Sequence, residues 1–416
     1  MNIFTVLLML IFFSINNFYL SSDIVLVNNS ILSVNFSLTD SNLICLFMLF
    51  VCGNIVLIFN KHYFGGEVLG LSLLILLFIC VMAGLVLTNN LLVSLISWEY
   101  LGVVSFFLII YYSNYDTFHA ANITLITSRL GDVGLFFLLC LIGTNISFFC
   151  FFFGVIVYLI ICSKSASFPM SSWLIEAMRA PTPVSSLVHS STLVAAGVWF
   201  LNNYYFINND NSLNYLLCFS IISIFFCNIS LNKYGDLKKL IALSTCNNIN
   251  WCLIFSCLGY SNLALIQLLI HGIAKCCLFT SVGDILSSNG GNQLSNNSVS
   301  VILYSNYNVF NVGIILLSLS GVFFNGIYFS KHLLSSLLSN NFNMVVIVLI
   351  NILILGSYIY SFRLLFLFLN YNNNNNVSSL NNNFLIVGGL ILIPTLVSFL
   401  LIGNSDEYSV INFINS

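Results

Sequence analysis

The sequence predicts an all-α polytopic membrane protein. Apolar residues make up 59% of the 416-residue chain and charged residues only 5%, and mean hydropathy is +1.03. Apolar runs recur along its whole length, and about 20 residues are needed for each helical crossing. No stretch of soluble-domain size separates them. A chain of this composition is not a water-soluble globule. A net charge of −2 offers no field to attract nucleic acid.

Hydropathy places about 14 spanning segments. The first half holds segments near 3–20, 41–60, 67–88, 91–112, 118–142, 146–162, 163–178 (interrupted) and 184–203. The second half follows near 213–231, 237–259, 262–287, 309–334 (interrupted), 342–366 and 384–403. The first segment has no basic region and no small-residue cleavage site, so it reads as a retained helix and not a signal peptide. No transit sequence is evident. The Asn- and Ser-rich stretches Ser287–Ser300 and Asn370–Asn383 read as solvated loops. Four loop cations (Arg179, Lys233, Lys238 and Lys239) fall on one side, and Lys61 alone marks the other. That bias makes the Lys233–Lys239 side the inner one, with the N-terminus outside.

The two halves correspond. Lys164 lies in or beside the seventh segment and Lys331 in the twelfth, while His189 and Arg363 stand in the same relation in the eighth and thirteenth. An offset of an odd number of crossings inverts the orientation, the mark of an inverted-topology repeat with broken helices. The chain divides accordingly into N-terminal helices (1–90), a first five-helix unit (91–203), a second (213–366) and an Asn-rich loop with a C-terminal helix (367–416). Pro169 within Ser163–Ser172 marks the first break, and Gly321, Asn325 and Gly326 mark the second. Irregular backbone at membrane depth requires protein or water around it.

An ionisable group at the bilayer centre costs about 2.5–3.5 kcal/mol on insertion scales, and those that persist tend to be functional. Lys164 opens Lys-Ser-Ala-Ser-Phe-Pro at the lip of an apolar run, and Glu99 follows Trp98 inside another. Glu99 is the expected partner of Lys164, since a buried carboxylate and ammonium hold each other charged. Separating them would free the lysine's proton. Arg129 and Asp132 are spaced i,i+3 and face one another; they are either a local neutralising pair or a charge acting on Glu99 and Lys164. His271 and Lys275 are spaced i,i+4 with no carboxylate in the turn, which suits a hydrated proton path better than a structural pair. Lys331, followed by His332, is either a snorkelling lysine or the counterpart of Lys164. Asp284, near a segment end, reads as an interface charge.

None of the thirteen cysteines forms a Cys-x-x-Cys pair, and most read as small buried hydrophobes, not as ligands for zinc or an iron–sulfur cluster. No phosphate- or dinucleotide-binding glycine loop is present, so redox or hydrolytic chemistry is expected elsewhere.

Several runs, in order, resemble one family. They are Leu-Ile-Ser-Trp-Glu-Tyr-Leu-Gly-Val-Val-Ser-Phe (95–106), Ser-Arg-Leu-Gly-Asp-Val-Gly (128–134), Ser-Lys-Ser-Ala-Ser-Phe-Pro (163–169) and Ala-Pro-Thr-Pro-Val-Ser-Ser-Leu-Val-His-Ser-Ser-Thr (180–192). Asp-Leu-Lys-Lys-Leu-Ile-Ala-Leu-Ser-Thr (236–245), His-Gly-Ile-Ala-Lys-Cys-Cys-Leu-Phe (271–279) and Phe-Ser-Lys (329–331) continue them. The resemblance is to the NADH dehydrogenase subunit 5 family, the distal antiporter-like subunits of respiratory complex I, and covers roughly residues 40–366. It implies a proton-translocating subunit with no cofactor of its own, with FMN, iron–sulfur clusters and quinone in other subunits. Glu99 and Lys164 would be the ion pair of the first half-channel, Arg129 with Asp132 its neighbouring charge pair, His189 a bridging histidine and Lys275 the central lysine. Lys331 would be the lysine of the second half-channel. The implied partners are other membrane-arm subunits, especially the subunit 4 paralogue, accessory subunits and lipids such as cardiolipin.

This chain departs from the family pattern at several positions. Gln267 stands where a second histidine is usual, one turn before His271; His332 replaces a common aspartate, and Phe323 a proline. The lateral amphipathic helix of the family is not evident after Asn383. The implied location is a mitochondrial inner membrane, and the 39 Phe and 19 Tyr suit an AT-rich organellar genome. An Mrp-type cation/proton antiporter subunit and a non-conducting scaffold remain alternatives.

Overall fold

The computed structural model describes residues 18–26, 30–66, 68–144, 150–204, 210–288, 293, 306–322, 326–341 and 344–369. The helices are α1 (Asp40–Tyr63), α2 (Leu69–Leu87), α3 (Leu91–Ile110), α4 (Tyr115–Thr144), α5 (Cys150–Ser165), α6 (Ser172–Glu176), α7 (Thr182–Leu187) and α8 (Leu193–Asn203). They continue as α9 (Asp210–Leu231), α10 (Leu237–Cys257), α11 (Ser261–Ser288), α12 (Asn306–Ser320), α13 (Tyr328–Asn341) and α14 (Met344–Leu369). An antiparallel hairpin, β1 (Phe18–Leu26) with β2 (Ser30–Leu38), precedes α1 and pairs Phe18 with Leu38.

Among the described residues, nine helices are long and apolar enough to cross a bilayer, with α7 and α8 counted as one run, Thr182–Asn203. Their burial sorts them into an inside and an outside. The Thr182–Asn203 run, α10 and α11 are enclosed almost completely. In contrast, α2, α4, α9 and α14 turn large apolar side chains outward, such as Leu73, Phe137, Phe225 and Leu355. In a bilayer that outward face meets acyl chains, so its exposure carries no hydrophobic penalty. The enclosed helices carry the buried polar groups: α10, the least apolar of the nine, holds Ser244, Thr245, Asn247, Asn248 and Asn250 inside the bundle, while the most apolar, α2, lies at its rim.

The expected segments are corrected in two places. Residues 146–162 and 163–178 are not two crossings. Instead α5 runs through Lys164 to Ser165, and a break leads into the short α6 and a 3-10 turn, Ala177–Arg179. The polar run Ser163–Ser172 is the end of α5 and the break that follows it, α5 itself having 16 residues, fewer than the roughly 20 of a full crossing. The segment expected at 3–20 also does not hold at its end, where Phe18–Leu20 pair in β1. In β2 the polar Ser33, Asn35 and Ser37 alternate with Val34, Phe36 and Leu38, which suits a ladder of period two. The remainder of that segment, the segment at 384–403, Phe323 and Asn325 lie outside the described residues.

Both expected breaks are present. After α5, Ala166 adopts a positive φ of 53° and the Phe168–Pro169 peptide is cis. The freed backbone groups find partners: Tyr158 donates its hydroxyl proton to the Phe168 carbonyl, and Cys246 lies 3.1 Å from the Ala166 carbonyl. After α12, Gly321 turns the chain at φ 82°, a conformation that costs glycine nothing. The chain then re-enters a helix at Tyr328. Counted along the described chain, α7–α8, α9, α10 and α11 separate the two broken crossings, so the offset expected between Lys164 and Lys331 survives the recount.

Candidate functional site

Three lysines lie at the centre of the helix bundle: Lys164 and Lys331 at 0% exposure and Lys275 at 1%. None is paired with a carboxylate among the described residues. Each instead donates to neutral oxygens of a neighbouring helix.

Lys164, in the last turn of α5, reaches across to the Trp98 carbonyl of α3 at 3.4 Å, its ammonium 5.4 Å from the Trp98 ring centroid. The approach of α4 to this end of α5 depends on Gly131, where an added Cβ would collide with Ser163 Oγ. Lys275 on α11 meets α10, donating to Ser244 Oγ and, at 3.3 Å, to the Ile241 carbonyl. Lys331, in the first turn of α13, donates to the Ser320 carbonyl and to Ser357 Oγ, both at 3.0 Å. Its ammonium thus caps the C-terminal end of α12, where the helix dipole favours a cation. It also lies 5.9 Å from the Trp251 ring centroid. The two break lysines therefore have matching surroundings. Each lies over a tryptophan two crossings upstream, Trp98 on α3 or Trp251 on α10.

The expected Glu99–Lys164 pair does not form. Glu99 is part-exposed, its side chain 35% accessible, and its carboxylate faces Arg129 at 3.8 Å. The reason is helical geometry. Consecutive residues on α3 point about 100° apart, so Trp98 faces inward while Glu99 turns to the rim beside α4. Arg129 joins Glu99 to Asp132, which it meets at 3.1 Å in the expected i,i+3 pairing. Asp132 is the enclosed carboxylate of the set, at 3% exposure, and the one whose charge acts on Lys164.

His189 lies in a π-helical turn, Val188–Thr192, between α7 and α8; such bulges recur at functional sites. It is 1% exposed, its ring centroid is 6.0 Å from that of Trp173, and neither ring nitrogen has a protein partner. His271 is likewise enclosed with both nitrogens unpartnered. Gln267 accepts from Ser330 Oγ at 2.8 Å, leaving its amide nitrogen free. Buried polar groups without protein partners are ordinarily met by water.

Four charged residues lie apart from this line. His332 is exposed and packs on Tyr328, ring centroids 4.0 Å apart. Asp284 faces His62 at 3.6 Å near the end of α11. Arg363, the positional counterpart of His189, donates to the Leu231 carbonyl and, at 2.9 Å, to that of Tyr234, closing the end of α9. Lys238, expected in a loop, is buried in the first turn of α10 and donates to the Ala180 carbonyl at 3.3 Å. Sequence reasoning missed the acceptors Ser244, Ser320 and Ser357. Small hydroxyls inside helices are common, and only the packing shows which of them meets a lysine.

Enclosed crossings, two broken helices and three buried lysines held by neutral oxygens define a polytopic membrane protein with ionisable groups at its core. The chain belongs to the family described as NADH:quinone oxidoreductase/Mrp antiporter, transmembrane, which matches residues 88–360. NADH-ubiquinone oxidoreductase chain 5 of Caenorhabditis elegans is 33% identical over 347 residues, covering 80% of this chain and 65% of the relative. The chain 5 of Anopheles arabiensis is 34% identical over 315 residues, covering 70% and 80% respectively. The chain thus spans about two thirds of the C. elegans relative, and 58% of the Ascaris suum one. In fold it is similar to a chain of the Mrp complex from Dietzia sp. DQ12-45-1b, with TM-score 0.81, 22% identity and coverage of 94% of this chain and 45% of that one. It is also similar to a chain of the archaeal membrane-bound sulfane sulfur reductase, with TM-score 0.72, 16% identity and coverage of 88% and 81%.

Proposed function

We propose that this chain is a proton-translocating subunit of the membrane arm of an NADH:ubiquinone oxidoreductase. The observation that carries the reading is the set of three enclosed lysines held only by neutral oxygens. A lysine so placed has proton uptake and release as its available chemistry. The chain 5 relatives support assigning it to a complex that oxidises NADH, with the redox cofactors in other subunits. Protons enter from the inner side towards Lys164, pass His189 and bound water to Lys275, and leave by Lys331. Arg129 is the switch at the entrance: it holds Glu99 at the rim and Asp132 within reach of Lys164, so a movement of Arg129 changes the charge that Lys164 meets. The membrane is the mitochondrial inner membrane, and neighbouring membrane-arm subunits cover the rim that carries Glu99.

The test is Lys164→Ala in the intact assembly, reconstituted into sealed vesicles. Proton uptake per NADH oxidised falls while the amount of assembled complex is unchanged. Full uptake by the variant would sink the relay role of Lys164. Recovery of the chain from a cation/proton antiporter that oxidises no NADH would overturn the assignment to this complex.

A further inference from the structure

The path just proposed has a gap between Lys275 and Lys331. The sequence suggests crossing it along α11, through His271 and Gln267, yet Gln267 has no proton to exchange at neutral pH and its side-chain oxygen is already occupied by Ser330. A second line of polar groups joins the same two lysines along α10 and α14. It begins where Lys275 donates to Ser244 Oγ. Asn248 follows one turn along α10, fully enclosed, with neither its amide nitrogen nor its oxygen partnered. The Tyr360 hydroxyl of α14 lies against the Asn247 and Asn248 side chains, yet it meets neither in direct hydrogen-bond geometry. Ser357 stands one turn before Tyr360 and accepts from Lys331 at 3.0 Å. Every member of this line is 3% exposed or less.

The spacing suits single waters. Ser244 and Asn248, four apart on α10, stand about 5–6 Å apart at Cβ, and between two such short side chains that is the span of one water making two hydrogen bonds. The unpartnered atoms of Asn248 and Tyr360 are donors and acceptors that such waters would satisfy.

We infer that protons pass from Lys275 to Lys331 through Ser244, water held by Asn248, the Tyr360 hydroxyl and Ser357, bypassing Gln267. Lys275 Nζ gives one proton to the chain. Each oxygen takes a proton from one side and releases one on the other, and Lys331 Nζ receives one. One proton moves and no electron does. Asn248 is a positioning residue for water, and Tyr360 is the hydroxyl that completes the line. This inference rests on the proposed function and adds a route to it.

The experiment measures proton uptake per NADH oxidised in sealed vesicles carrying the intact assembly, with Lys331→Ala as the reference. Tyr360→Phe keeps the ring and removes only the hydroxyl; Asn248→Leu keeps the volume and removes the polar atoms. Native electrophoresis reports assembly of each. Both are expected to lose as much uptake as Lys331→Ala, and Asn248→Ser, which can again hold water, to recover most of it. A merely structural role for Asn248 would not give that recovery. Full uptake in both variants, alongside loss in Lys331→Ala, overturns the route and leaves the proposed function standing. Full uptake in Lys331→Ala overturns both.

Discussion

At the residue scale, the site is decided by which neighbours its charges find. Asp132 is enclosed and has one ion-pair partner among the described residues, Arg129. Removing that partner leaves a buried carboxylate uncompensated, at a cost of about 1–3 kcal/mol. Arg129→Ala should therefore lower the thermal unfolding midpoint of the detergent-solubilised assembly, and adding Asp132→Asn should recover most of the loss. Additive losses in the double variant would show that the pair is not coupled. The charges of this region were legible in the sequence, since an arginine three residues before an aspartate on one helix can hardly avoid it. The partner of Lys164 was not legible, because it is a backbone carbonyl and any residue supplies one.

Among the elements, the breaks matter most. α5 ends where Ser165 gives way to Ala166 at positive φ, and this end is accessible to α4 only because Gly131 has no side chain. Gly131→Ala should displace α4 from α5 and cost about 1–3 kcal/mol by overpacking. The check is a lower unfolding midpoint together with weaker proton uptake, since Lys164 sits one residue beyond the contact. An unchanged midpoint would mean that the helices part without penalty. At the second break, Gly321→Ala places a Cβ on a residue at φ 82° and should cost about 1 kcal/mol, read in the same assay. Proline and glycine announced both breaks in the sequence. Their exact extent was less legible: a serine-rich run does not say where a helix stops, and only the structure shows α5 ending at Ser165 and α6 starting at Ser172.

Over the whole molecule, burial divides lipid-facing from protein-facing helices. A photoactivatable lipid should label α2, α4 and α14 at positions such as Leu76, Phe136 and Ile352, which are exposed. It should leave Ser244, Asn248 and Lys275 unmarked. Mass spectrometry of the labelled chain would show it, and labelling of α10 or α11 would contradict the arrangement. In the intact assembly, neighbouring subunits should shield part of the outer face, first of all the α3–α4 rim that carries Glu99 and Arg129.

Composition and the length of the apolar runs determined that this chain crosses a membrane as helices, because a bilayer admits few other solutions for the backbone. The scarcity of charge singled out Lys164, Lys275 and Lys331 as the candidate site. Only the tertiary structure decided which groups meet them. Glu99 turns to the rim to face Arg129, Lys331 closes the end of α12, and Ser244, Asn248, Tyr360 and Ser357 gather from two helices more than a hundred residues apart. A sequence records where charge is costly; the oxygens that make it tolerable come from whichever helices pack alongside.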